Sequence, residues 1–534
     1  AREGAEAGAE AARRSGHQAA VPVVDLGEVE PAPAPPHALW LIPPLAGTGW
    51  DTHFVDLQRD VTVADVLRAS GAGMRSLEHV KRYTTIGTAH DQGRTSGVPT
   101  AGLVAELLGA QVGGLGLTTS RPPVVPVAFA ALAGRDRGDL LDPIRRTPIH
   151  AGHVALGAVF ENVGQWKRPF CYPLHAEGVE DAVTRECRAV RQAVGLMDVS
   201  TLGKIEVRGP DAATFLDRVY TGVMSSLEPG GARYGLLCRL DGTLFDDGTV
   251  LRLAEDRFFV TTTTGNAAPV FEWLEEWLQT EWTRLRVLLT SVTEQWATIA
   301  VAGPRARDVI GRVAPELAAA NADFPFMTAR DCEVAGLPAR IVRISFSGEL
   351  AYEVSVAGWH GAAVWDALLA AGEPFGITPY GTEAMHVLRA EKGYVIVGQD
   401  SDGTTTPLDL GLGWAVSKKK PDFLGKRSLA RPDMVRRGRK QLVGLLPLDP
   451  EALVPEGAQM IESARPGPPP VPMLGHVTSS YRSQALGRTF ALALVRSGRE
   501  RVGETLQAWS EGVPIAVCVA GSVLFDPENA RRDG

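Results

Sequence analysis

The chain has 534 residues, 45% of them hydrophobic and 22% charged, with a formal net charge of −8. That length exceeds one ordinary core and predicts two to four domains in a soluble, globular composition. The mild negative charge, with no basic patch interleaved with aromatics, argues against non-specific nucleic-acid binding, and no apolar run approaches the roughly 20 residues of a membrane helix.

Residues 1–16 (AREGAEAGAEAARRSG) have good helix propensity, and the Pro-rich EVEPAPAPPHALWLIPP that follows reads as extended chain or linker. The chain lacks an initiator Met and opens inside a helix, which suggests a piece of a longer polypeptide. Short helices are predicted next: DVTVADVLRAS with Thr62 as N-cap, SLEHVKRY from Ser76, and PTAGLVAELLG from Thr100. The polar TTIGTAHDQGRTSG among them is a candidate binding or contact loop, and 119–150 reads as a connector rich in Pro and Arg.

From about residue 155 strands and helices alternate. GKIEVRG alternates with period 2, PDAATFLDRVY has helical spacing, RYGLLCRL, GTVLRL and RFFVTTT are strand-like, and PVFEWLEEWLQTEW is an amphipathic helix. A second such round follows, with WATIAVAG, PRARDVIGRV, ARIVRISFSG, LAYEVSV and GAAVWDALLAAG. RGPDAATFLDRV and AGPRARDVIGRV share a Gly-Pro helix start, so the two rounds read as a pseudo-repeat of one α+β unit. Residues 440–534 hold short strands broken by Gly and Pro, predicting a small barrel or sandwich, with SARPGPPPVP as a loop.

RLDGTLFDDGTVLRL carries adjacent aspartates, Asp246 and Asp247, inside what reads as strand–turn–strand. Successive strand residues point to opposite faces, so one carboxylate can face a cavity while the other hydrogen-bonds locally. The alternative is that both are hairpin-turn residues after Gly242. No GxGxxG opens a helix after a strand, and no P-loop or GxSxG is present. His150 and His153 form an HxxH without a third ligand at metal-site spacing, so no metal is expected. Lys418, Lys419 and Lys420 read as a solvated run. The five cysteines (Cys171, Cys187, Cys238, Cys332 and Cys518) are widely spaced, which fits reduced thiols and a cytoplasmic location.

GLMDVSTLGKIEVRGPDAATFLDRV, RYGLLCRLDGTLFDDGTVLRL, LRAEKGYVIVGQD, KKKPDFLGKRSL and GHVTSS…ALGRTFALALV resemble, in order, the aminomethyltransferase (T-protein) of the glycine cleavage system and its folate-binding relatives. HVKRYTTIGTAHDQGRTSG, AGRDRGDLLDPIRRTPIHAGH and VGQWKRPF are similar to the α subunits of heterotetrameric sarcosine oxidases. The resemblance implies an α+β fold: two related subdomains and a C-terminal β-barrel, preceded by a small helical region. The boundaries it suggests are 1–50 (end of a dinucleotide-binding domain, then linker), 51–150 (helical connector), 151–435 (folate-binding domain) and 436–534 (barrel).

It further implies tetrahydrofolate as ligand and an iminium as one-carbon donor. Asp247 would be the catalytic carboxylate, and Tyr234, Glu353, Tyr394, Leu202 and Phe346 would line the folate pocket. Glu353 would pair with the side-by-side N–H groups of a pterin. FMN or FAD and NAD belong to the whole complex on this reading, with no NAD site expected in this chain. The implied partners are a flavin-bearing β subunit and small subunits, with Trp166, Lys167 and Arg168 as interface candidates. The alternatives are a free-standing aminomethyltransferase and a non-catalytic folate-binding scaffold. Two departures stand out: Ala384-Met385-His386 replaces the family's Ala-Arg-Asp, and Phe346 replaces a tyrosine. Arg389 could substitute for the lost arginine, although an ion pair with Glu391 is the plainer expectation.

Overall fold

A computed structural model describes residues 2–21, 38–122, 124–135, 138 and 142–534. The chain divides into two compact units, Ala1–Leu141 and Asp142–Gly534. In the first, helices Val63–Gly71, Leu77–Thr84 and Gly97–Leu108 gather around Val66, Val80, Leu103 and Val104. Thr62 caps the first of them, its backbone N–H and hydroxyl both donating to Asp65 Oδ2 at 2.9 and 2.8 Å. The third helix begins at Gly97, one turn before the predicted start; Thr100 is buried inside it and donates to the Ser96 carbonyl. The polar loop is tied down from within, because buried Asp56 accepts from Gly87 N–H at 2.7 Å and Ser96 Oγ at 3.2 Å.

The second unit contains two sheets with helices on their outer faces. The five-stranded sheet runs in the order Leu288–Ser291, Gly203–Arg208, Arg257–Thr262, Leu244–Ala254, Ala232–Cys238, all antiparallel. Ile205, Val250, Phe258 and Val260 project from one face into a core with Phe215 and Leu216 of helix Ala212–Val219 and Val270 and Leu274 of helix Ala267–Thr280. The six-stranded sheet runs Thr328–Val334, Leu337–Arg343, Ala351–Ala357, Trp296–Ala302, Val194–Asp198, Ile377–Pro379. Its outer face packs Ile299, Ile341 and Val354 against Val309 and Ile310 of helix Ala306–Val313 and Val364 and Leu368 of helix Gly361–Gly372.

The predicted pseudo-repeat is visible at the turns before the matching helices. Gly209 has φ +130° and Gly303 φ +136°, and a Cβ at either would meet a backbone carbonyl, Arg286 O at 2.1 Å and Ala193 O at 2.6 Å respectively. Only glycine fits both the backbone conformation and the close approach.

The inner faces of the two sheets meet. Leu251, Phe259 and Ala232 of one pack on Val342 and Ala329 of the other. A closed six-stranded barrel occupies residues 440–520, and its Leu442, Tyr481, Phe490 and Leu492 share a cluster with Met197, Leu236 and Leu388 from the sheets and helix Thr382–Glu391. Residues 464–473 form a loop between its strands. Among the described residues no helix is long and apolar enough to cross a membrane.

Candidate functional site

The two aspartates are not turn residues. The turn lies at 239–242, and one strand, Leu244–Ala254, runs straight through both positions. Alternation sends Asp246 and Val250 to the helix-covered face and Asp247, Thr249 and Leu251 to the inter-sheet face. Asp246 is fully buried and satisfied locally: it accepts from Thr263 N–H at 3.1 Å, Thr263 Oγ1 at 2.7 Å and Asn266 Nδ2 at 3.1 Å. It fixes the segment leading into helix Ala267–Thr280.

Asp247 keeps partial exposure and among the described residues has one side-chain partner, the Tyr234 hydroxyl, which donates to Oδ2 at 2.6 Å. The register makes this contact possible, since Tyr234 pairs with Thr249 on the neighbouring strand and shares its face. Burial and the adjacent Asp246 charge push the Asp247 carboxyl up to about 7, against the opposing pull of the tyrosine hydrogen bond. Such a group exchanges a proton near neutrality. The Tyr234 ring in turn stacks on Trp414, with centroids 5.7 Å apart, and Trp414 is 71% exposed.

Glu353 projects from the opposite sheet. It lines a small inter-sheet cavity of about 20 Å³ with Leu202, Lys204, Thr249 and Thr261, which has room for one water-sized guest and is smaller than a pterin; Asp247 and Tyr234 do not line it. Among the described residues no side chain or backbone N–H donates to the Glu353 carboxylate, so both its oxygens remain available to a ligand. Burial raises it to about 7, countered by the nearby Lys204 charge.

Leu202 therefore falls beside Glu353, and Tyr234 beside Asp247. Tyr394 and Phe346 form a separate pair, stacked at 6.0 Å with Phe346 40% exposed. No hydrogen bond or ring contact joins that pair to Asp247, Tyr234 or Glu353 among the described residues.

Several other expectations change. Arg389 pairs with Asp400, not Glu391; it is fully buried and also donates to Ser479 Oγ at 2.7 Å, so it is committed to joining helix to barrel. Glu391 instead pairs with Arg191. Lys420 is not solvated: its ammonium donates to the Tyr220 and Gly222 carbonyls, and only Lys418 and Lys419 are exposed. Trp166 and Arg168 are buried within their own unit, with the Arg145 guanidinium 4.1 Å over the Trp166 ring, so neither offers a free surface. His153 is buried between Asp198 and Tyr172, at 3.0 Å from each. All five cysteines are free.

Two residues beside the site escaped the sequence reading. Lys204 alternates with Ile205 and Val207, which marks it as a polar-face residue; it is buried because the second sheet, distant in sequence, covers it. Trp414 lies in a short 3-10 turn without periodicity, and no sequence signal marks it.

Comparisons with known proteins agree with this architecture. The family model described as the GCVT N-terminal domain matches residues 149–420, the sarcosine oxidase A3 domain 50–135, and the glycine cleavage T-protein C-terminal barrel domain 440–526. The chain is 55% identical to the sarcosine oxidase subunit alpha of Corynebacterium sp. (strain P-1), over 99% of this chain and 55% of that protein. It therefore spans about half the length of that relative. It is 32% identical to the aminomethyltransferase of Symbiobacterium thermophilum, over 73% of this chain and all of that protein. Among solved structures, the glycine cleavage system aminomethyltransferase T of Bartonella henselae superposes with a TM-score of 0.63 at 25% identity, covering 72% of this chain and 99% of that one.

Proposed function

The chain belongs to the glycine cleavage T-protein (aminomethyltransferase) family, and from that premise we propose that it is the folate-binding part of a sarcosine oxidase α subunit. Its task on this reading is to capture the iminium carbon produced when sarcosine is oxidised, giving 5,10-methylenetetrahydrofolate and glycine. The single observation that carries the reading is the pairing of Asp247 with Tyr234 on one inter-sheet face and, on the other, a Glu353 carboxylate that accepts no hydrogen bond among the described residues.

The donor set suits a reduced folate. Glu353 offers two acceptor oxygens to the adjacent amine and ring N–H of a pterin edge. Leu202 supplies an apolar wall, and the Tyr234–Trp414 stack an aromatic one. Tetrahydrofolate supplies the nucleophilic nitrogen that accepts the carbon. Asp247, ionised, stabilises the cationic donor and takes the proton released as that nitrogen forms its bond to carbon. Tyr234 holds the carboxylate in place and favours its charged form. The flavin chemistry that makes the iminium is assigned to a partner subunit, and FMN or FAD and NAD are not placed on this chain.

Substituting Asp247→Ala in the assembled enzyme tests the reading. Sarcosine-dependent peroxide formation continues, while methylenetetrahydrofolate formation falls by about 10²- to 10⁴-fold, the usual weight of a positioned acid–base group. Undiminished methylene transfer would reduce Asp247 to a structural residue.

A further inference from the structure

Lys204 is held in place from several directions. Its backbone N–H donates to Thr293 Oγ1 at 3.0 Å, and its carbonyl accepts from Val292 N–H at 2.8 Å. Its ammonium donates to the Ser200 and Leu202 carbonyls, each at 2.9 Å. An ammonium has three N–H donors, so one is left for the cavity that Lys204 and Glu353 line from opposite sheets. The side chain is 2% exposed and makes no direct ion pair among the described residues. Burying an unpaired cation is costly, and a purely structural site would be filled more cheaply by an apolar residue.

We propose that Lys204 is a positioning residue: from the far side of the cavity it keeps Glu353 ionised, and so able to accept two N–H bonds from a pterin edge. The inference rests on the folate reading above for the identity of the ligand, but the coupling of Lys204 to Glu353 does not.

The groups facing this pair are few. Lys204 faces Asp198 as well as Glu353, but Asp198 is already bonded to His153 and to Ser200 N–H. Glu353 faces Lys204 and the phenol of Tyr380; Arg340 lines the same cavity, with its guanidinium bound to Asp331 at 2.8 and 3.1 Å. Among the described residues, Lys204 is therefore the cation left to answer Glu353. Burial draws the ammonium down to about 8 and raises the carboxyl to about 7, and in each case the partner's charge opposes the shift. A protonated carboxyl would present a donor where the pterin edge also presents donors.

The test uses Lys204→Gln, which keeps N–H donors for the backbone carbonyls without the charge, and Lys204→Arg, which keeps a charge. The Glu353 carboxyl is followed directly by ¹³C NMR of glutamate-labelled full-length chain, its resonance assigned by its loss in Glu353→Gln. Affinity for 5-formyltetrahydrofolate is measured from pH 6 to 9 by tryptophan quenching. In Lys204→Gln the Glu353 midpoint moves up by about one pH unit, and folate affinity at pH 7 falls about fivefold and recovers at higher pH. Lys204→Arg stays near wild type. An unmoved Glu353 midpoint in the Gln variant overturns the proposal. A moved midpoint with unchanged folate affinity upholds the coupling and instead removes Glu353 from the pterin site.

Discussion

Two adjacent carboxylates on one strand resolve into separate jobs because the strand is continuous. Asp246 is spent on Thr263 and Asn266, and its buried charge raises its neighbour. The folded state holds a proton on Asp247 more tightly than the unfolded chain does, so this group favours folding at low pH and loses that contribution as pH rises from 3.8 through about 7. Asp247→Asn is therefore expected to stabilise the protein at pH 8, on the order of 1 kcal/mol once solvent screening of the part-exposed group is allowed for, with the gain vanishing towards pH 4. Urea unfolding at the two pH values checks this. Tyr234→Phe removes the hydrogen bond that favours the charged form, so the acid limb of methylene transfer is expected to move to higher pH. A pH–rate profile whose limb stays in place would show that another group titrates.

At the level of elements, period-2 alternation and helical spacing made most strands and helices of the second unit legible, along with the repeat. The matched glycines explain why the repeat survives at the turns. Gly303→Ala and Gly209→Ala are each expected to cost about 1 kcal/mol or more, because each adds strain at positive φ and a clash with a carbonyl. Thermal unfolding measures it, and two near-neutral variants would show that the turns can relax. What alternation could not show is which polar positions a second sheet would cover. Lys204 and Arg340 look solvent-facing along their own strands and are buried only by their partners across the inter-sheet layer. The strand–turn–strand reading also failed locally: Gly248 sits inside the strand because Thr261 O would lie 1.9 Å from any Cβ there, a close approach between strands rather than a turn. Arg389 found Asp400 instead of Glu391 because Glu391 is drawn to Arg191. Neighbours in sequence did not predict neighbours in space.

For the whole second unit, the α+β halves, the barrel and the family follow from ordered motifs spread over nearly 400 residues, and so were readable before any coordinates. The placement of Tyr394 and Phe346 was carried by resemblance alone, and the structure pairs them with each other rather than with Asp247. The proposed folate site lies in the space between the two sheets. Its most direct measurement is a crystal structure of the protein with 5-formyltetrahydrofolate bound. The expected result is the pterin edge on the Glu353 carboxylate, the ring against Leu202 and Tyr234, and a folate nitrogen within hydrogen-bond reach of Asp247. Folate bound away from the inter-sheet face, with Asp247 and Glu353 untouched, would contradict it.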